Sequence, residues 1–71
     1  MSFNKNKTIT KREKEVLFYI AKGHNYNQIA DKLIISPATV RKHTENIYKK
    51  LEVHNKIEAV QKGIKLKLIE I

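Results

Sequence analysis

Apolar residues recur at helical spacing in four successive stretches of the chain, and a polar cap residue stands in front of each. Val16, Leu17, Ile20 and Ala21 share one face of a 3.6-residue wheel, with Tyr19 at its margin and Phe18 pointing away toward solvent. Ile29, Ala30 and Leu33 form a second face. Val40, Thr44, Ile47 and Leu51 form a third, with His43 at its edge, and Ala59, Gly63 and Leu66 a fourth. The caps sharpen the boundaries. Thr10 with Glu13, Asn25 with Gln28 and Asn55 with Glu58 each fit the capping box, in which the cap side chain and the N3 side chain satisfy one another's backbone amides. Ser36 followed by Pro37 starts the third stretch, because proline at N1 loses no helical hydrogen bond. Gly23 suits the left-handed position that ends the first. The pattern therefore predicts helices over about 11–22, 26–33, 37–51 and 56–66. Ile34 and Ile35 read as a short apolar turn that seats the third helix. Residues 1–8 read as a mobile basic arm and Lys67 to Ile71 as an apolar tail. With no strand-like alternation, repeat or internal linker, the expectation is one all-α, four-helix domain over residues 9–71.

The third helix has a dry face and a wet cationic one. Opposite its apolar stripe lie Ala38, Lys42, Glu45 and Lys49, flanked by Arg41. Together with the short helix before it, this is the layout of a helix-turn-helix reader of duplex DNA. Composition agrees. The 71 residues carry 15 Lys and Arg against 7 Asp and Glu, a net charge of +8, which is the electrostatic footprint of a polyanion binder. The absence of cysteine excludes disulfides and thiolate zinc sites. His24, His43 and His54 lack metal-ligand spacing, and no nucleophile–base set, phosphate loop or acid pair is present, so no metal, cofactor or enzymatic activity is expected. His43 reads as a structural core-edge residue. Apolar runs are too short for a membrane span, and the N-terminus has no signal-peptide core. The expected setting is the cytoplasm, at the bacterial nucleoid. Met1 and the short polar arm behind it are read as the start of a complete chain.

Several blocks, in order and at the right spacing, resemble the LuxR/GerE-type helix-turn-helix domain, which occurs alone or at the C-terminus of bacterial response regulators. They are Ile9-Thr10-Lys11-Arg12-Glu13-Lys14-Glu15-Val16-Leu17, Ile29-Ala30-Asp31-Lys32-Leu33-Ile34-Ile35-Ser36, Thr39-Val40-Arg41-Lys42-His43, Asn46-Ile47-Tyr48-Lys49-Lys50-Leu51 and Glu58-Ala59-Val60. Length and architecture resemble the stand-alone, GerE-like form. Three departures matter. Tyr26 stands where the family usually has Asn, so a hydroxyl replaces an amide beside the second cap. Glu52 stands where the family has Gly, so a left-handed turn there is strained. Lys56 stands where Arg is usual and keeps the charge for an ion pair with Glu13 or Glu15 without the bidentate fork.

By face and by resemblance, Arg41, Lys42 and Glu45 are the base-reading candidates. Arg and Lys suit guanine O6 and N7, and Glu accepts from the cytosine amino group. An ion pair of Glu45 with Arg41 or Lys49 is the competing reading. Asn25, Tyr26, Thr39, Lys49 and Lys50 are the phosphate candidates, aided by free amides at the start of the second helix. For Lys49 and Lys50 the alternative is a solvated helix end. On the fourth helix, Ile57, Val60 and Ile64 form an apolar stripe that so small a domain leaves uncovered, unless the tail from Leu68 to Ile71 folds over it. In the family this helix pairs with itself, which implies a homodimer, weak in the free protein. The reading is a DNA-binding transcription regulator. A non-specific architectural binder and a protein–protein module docking on the transcription machinery, such as RNA polymerase, remain open from sequence.

Overall fold

The computed structural model describes residues 8–70. Four helices follow in order: α1 Lys11–Ala21, α2 Tyr26–Leu33, α3 Pro37–Leu51 and α4 Lys56–Lys65. Among the described residues there is no strand, and no helix is long and apolar enough to cross a membrane. The basic arm expected over residues 1–8 lies, as far as residue 7, outside the described residues.

Each start is made by the expected cap. Thr10 Oγ1 accepts from the Glu13 amide at 3.1 Å, and Glu13 Oε1 accepts from the Thr10 amide at 3.0 Å. Asn25 and Gln28 exchange bonds of 2.8 and 2.9 Å in the same way. Ser36 Oγ takes the Thr39 amide at 3.1 Å. The third box forms only by half. Asn55 Oδ1 accepts from the Glu58 amide, but the Glu58 carboxylate reaches past Asn55 to the His54 amide at 2.9 Å.

The ends share one device, a left-handed residue whose neighbours tie back into the last turn. At α1 that residue is Gly23 (φ 92°), at no steric cost. At the other three it carries a side chain: Ile34 (φ 57°), Glu52 (φ 59°) and Lys67 (φ 61°). The Ile35 amide returns to Ala30 O at 3.0 Å, Val53 to Tyr48 O at 3.0 Å and Leu68 to Gly63 O at 2.8 Å. The left-handed conformation costs about 1–2 kcal/mol per L-residue, and more for a β-branched one. Ile34 is therefore not the apolar seat expected of it. Its side chain is 89% exposed, and Ile35 alone turns partly inward.

α1 and α3 each pack on all the other helices, while α2 and α4 do not meet. The core joins Val16, Leu17 and Ile20 of α1, Ile29 and Ala30 of α2, Val40, Ile47 and Leu51 of α3 and Ala59 of α4 with Ile9 and Ile69. Burying a Val, Leu or Ile side chain contributes about 1.5–3 kcal/mol each, the main force that holds α3 in place. Thr44, buried in the same face, gives its hydroxyl to Val40 O at 2.9 Å, so no polar group is stranded there.

Two further expected orientations are corrected. Phe18 is not out in solvent. It is half-buried against the core, edge-on to Tyr19 at 5.5 Å, with the Lys22 ammonium 5.6 Å from its ring. Leu66 is half exposed, because α4 ends one residue earlier and the turn at Lys67 swings the chain back. Ile69 then fills the place beside Gly63 that Leu66 was expected to take, with its side chain 3.4 Å from where a Gly63 Cβ would stand. So the described part of the tail, through residue 70, does fold back, but onto the core, and it leaves Ile57 and Ile64 exposed, while Ile71 lies outside the described residues.

Candidate nucleic-acid interface

α3 is buried along one face and bare along the other. Ala38, Arg41, Lys42, Glu45 and Lys49 are all exposed, opposite the fully buried Val40 and Ile47. Glu45 forms no ion pair with Arg41 or Lys49, so the competing reading of it as half of a surface pair is not what the structure shows. The three base-reading candidates thus stand together on one free face. Thr39 is exposed in the first turn, its hydroxyl 2.9 Å from the Ser36 hydroxyl. His43 is half-buried at the core edge.

Beside this face lies the start of α2. Asn25 and Gln28 are tied up in their box, which leaves the amides of Tyr26 and Asn27 without an intrahelical acceptor, as the first turn of a helix requires. No acidic residue occupies the first turn of α2 or of α3. A groove of about 420 Å³ runs between them, lined by Tyr26, Asn27, Pro37, Ala38 and Arg41. Its neighbour, about 440 Å³, is walled by Ile20, His24, Asn25, Tyr26, Asn27, Tyr48 and Lys56. Burial pushes the Tyr48 phenol above its ordinary pKa, and the nearby Tyr26 adds to the shift, so Tyr48 stays a neutral O–H. His24 stacks edge-on to Tyr19 at 5.4 Å, and its Nδ1 is shielded from solvent with no hydrogen-bond partner among the described residues.

Lys50 has a different place from the one its position suggested. Its ammonium lies 2.8 Å from Glu13 Oε1, with only 20% of its side chain exposed. Expected as a phosphate contact on a wet helix end, it is instead a strut between α3 and the first turn of α1. Glu13 is itself buried. Burial alone would raise its pKa, but the Lys50 ammonium and the Thr10 amide outweigh it and hold the carboxyl below its ordinary value. The ion pair expected for Lys56 does not form either. Glu13 is taken by Lys50, and Glu15 pairs with Arg12 at 3.2 Å. Lys49 is exposed and, among the described residues, has no carboxylate partner. On α4, Ile57 and Ile64 are 67% and 46% exposed, whereas Val60 is half-buried and packs against the core. The stripe expected from all three is thus narrower, its outward members being Ile57 and Ile64.

What sequence reasoning missed is the closeness of Tyr48 and Lys56 to the start of α2. The one signal was the unpaired cation at Lys56, and it was assigned to the wrong partner.

Comparison with known proteins places this geometry. Residues 7–62 match the family model described as bacterial regulatory proteins, luxR family. The oxygen regulatory protein NreC of Staphylococcus aureus (strain JH9) is 44% identical over 64 residues, 90% of this chain and 30% of that protein. NreC of strain USA300 matches to the same extent. In the crystal structure of the response regulator ChrA, from a heme-sensing two-component system, a segment superposes with a TM-score of 0.84 at 39% identity, covering 87% of this chain and 31% of that one. The chain thus spans about 30% of the length of the curated relatives it matches. It belongs to the luxR family of bacterial regulatory proteins.

Proposed function

We propose that this chain regulates transcription by laying α3 in the major groove of duplex DNA, and that two copies join through α4. The observation that carries the reading is the division of α3, with Val40, Thr44, Ile47 and Leu51 locked in the core while Arg41, Lys42 and Glu45 are held out together. A helix fixed on one side and bare on the other enters the groove as a rigid body, so its side chains meet base edges in one register. Arg41 and Lys42 suit guanine, and Glu45 accepts from cytosine. Thr39, Lys49, Asn25 and Tyr26 grip phosphate, the last two beside the free amides of α2. Lys50, engaged by Glu13, is dropped from that set.

The exposed Ile57 and Ile64 support the dimer. A stable protein interface buries about 1,200–2,000 Å² in total, well beyond what two isoleucines per copy offer. The free protein is then weakly associated, and DNA brings the copies together on an inverted repeat with half-sites about one turn, roughly 10 bp, apart.

Selection of bound sequences from a random duplex pool, followed by titration at two salt concentrations, tests the reading. The expected result is a preferred two-fold site, with Arg41→Ala or Lys42→Ala costing about 1–3 kcal/mol on it and relaxing preference at one position. A steep salt dependence with no sequence preference would make the protein an architectural binder. No binding at all would make it a docking module for the transcription machinery.

A further inference from the structure

We infer that the pocket between the end of α1, the start of α2, the last turns of α3 and the start of α4 seats one backbone phosphate of the bound duplex, held by the Lys56 ammonium and the Tyr48 hydroxyl. The inference rests on the reading of α3 as the DNA-contacting helix and adds a site away from it.

The pocket is built of donors. Lys56, Tyr48, Tyr26, Asn25, Asn27 and His24 wall it over the apolar floor of Ile20, and no carboxylate lines it. Another groove, on the far side of α1, has Glu15 and Glu70 among its lysines. Lys56 is the first residue of α4, the position where a cation is least favoured by the helix dipole. It has no carboxylate partner among the described residues, since Glu13 and Glu15 are paired elsewhere. Glu58, the acid of that turn, is bonded to the His54 amide and lines a different groove. A phosphate in the pocket would relieve the unpaired charge and meet the free first-turn amides of α2 as well. The half-buried Tyr48 phenol, neutral throughout the physiological range, is a donor ready for a phosphate oxygen.

Position decides the source of the phosphate. Tyr26 and Asn27 wall this pocket and also the groove that contains Arg41 and Ala38. A strand bordering the major groove read by Arg41 passes over Tyr26 and Asn27 and reaches Lys56 without leaving the surface. A phosphodiester of that strand is therefore the occupant.

The test uses the full chain and the preferred duplex from pool selection, in which single phosphates are replaced in turn by neutral methylphosphonates. Wild type should lose affinity on neutralisation of one phosphate that flanks the site read by Arg41. Lys56→Gln should be insensitive to that replacement, and its salt slope should fall by about one with base preference unchanged. Tyr48→Phe, which keeps the shape of the wall, should bind about tenfold more weakly. An unchanged slope and an unchanged phosphate pattern in Lys56→Gln, alongside relaxed preference in Arg41→Ala, would overturn the pocket and leave the α3 reading standing. Failure of the wild type to bind any duplex would overturn both. Competition by inorganic phosphate too dilute to screen the duplex, present in wild type and absent in Lys56→Gln, would make the pocket a seat for a free anion and overturn the assignment to the strand.

Discussion

Replacing Lys50 with Met keeps the length of the side chain and removes the cation that pairs with the buried Glu13 carboxylate. The ammonium sits 2.8 Å from Glu13 Oε1, with 20% of the Lys50 side chain and 4% of the Glu13 side chain exposed. Breaking a buried pair from one side costs about 3–5 kcal/mol, because the remaining charge is left in a poor solvent. The partial exposure of Lys50 moves the expectation below that range, to about 2–3 kcal/mol. A domain of this size holds roughly 4–11 kcal/mol in all, so the variant should remain folded near 25 °C. Its Tm should fall by roughly 8–24 °C, at about 4–8 °C per kcal/mol for so short a chain.

The pH dependence makes the test specific. In the native protein the Glu13 pKa is held below its ordinary 4.5, so its contribution is present above that value and is lost as pH falls through the lower folded pKa. In Lys50→Met, burial is opposed by Thr10 alone, and the folded pKa moves up. Urea unfolding followed by circular dichroism should therefore show a wide gap between wild type and variant near pH 7, closing as pH falls through 4.5 and beyond. Glu13→Gln keeps an oxygen for the Thr10 amide, so the double variant Glu13→Gln with Lys50→Met should be more stable than Lys50→Met alone near pH 7. A gap that is the same at both pH values, with no recovery in the double variant, would refute the claim that this pair fastens α3 to α1.

Ile34→Gly should stabilise the fold by about 0.5–1 kcal/mol, because it releases a left-handed β-branched residue whose side chain is 89% exposed and so buries little; a loss in urea titration would mean that Ile34 packs on something after all. Gly63→Ala should destabilise by about 1 kcal/mol despite the better helix propensity of alanine, since the new Cβ would stand 2.8 Å from Leu17 Cδ2 in the closed core; a gain would show that Leu17 can move aside. Ile57→Lys combined with Ile64→Lys should leave the circular dichroism spectrum intact and abolish cooperative occupancy of paired half-sites while single half-site binding persists; retained cooperativity would place the dimer surface elsewhere.

What could be read from the sequence depended on whether the cause was local. Helix starts were legible because the cap and its partner lie three residues apart, and the Thr10, Asn25 and Ser36 caps form as expected. The buried and bare faces of α3 were legible for the same reason, since helical periodicity alone sorts Val40 and Ile47 from Arg41 and Lys42. The left-handed ends at Ile34 and Lys67 were not, because the turn there is imposed by the packing of the next segment against the residue's own preference. Without the turn at Lys67, the return of Ile69 to Gly63, and with it the exposure of Leu66, could not be foreseen. The pairing of charges lay furthest from reach. Glu13, Lys50 and Lys56 are distant in sequence, and either lysine satisfies the carboxylate equally well in a linear reading. Only the fold decides between them, and it gives Glu13 to the lysine at the end of α3. That choice has two consequences at once. It takes most of Lys50 off the surface and ties α3 to α1, and it leaves Lys56, among the described residues, without a carboxylate partner in a pocket of donors beside α2. A single ion pair thereby makes Lys50 structural, and the proposed phosphate seat rests on the cation that this pair leaves over, Lys56.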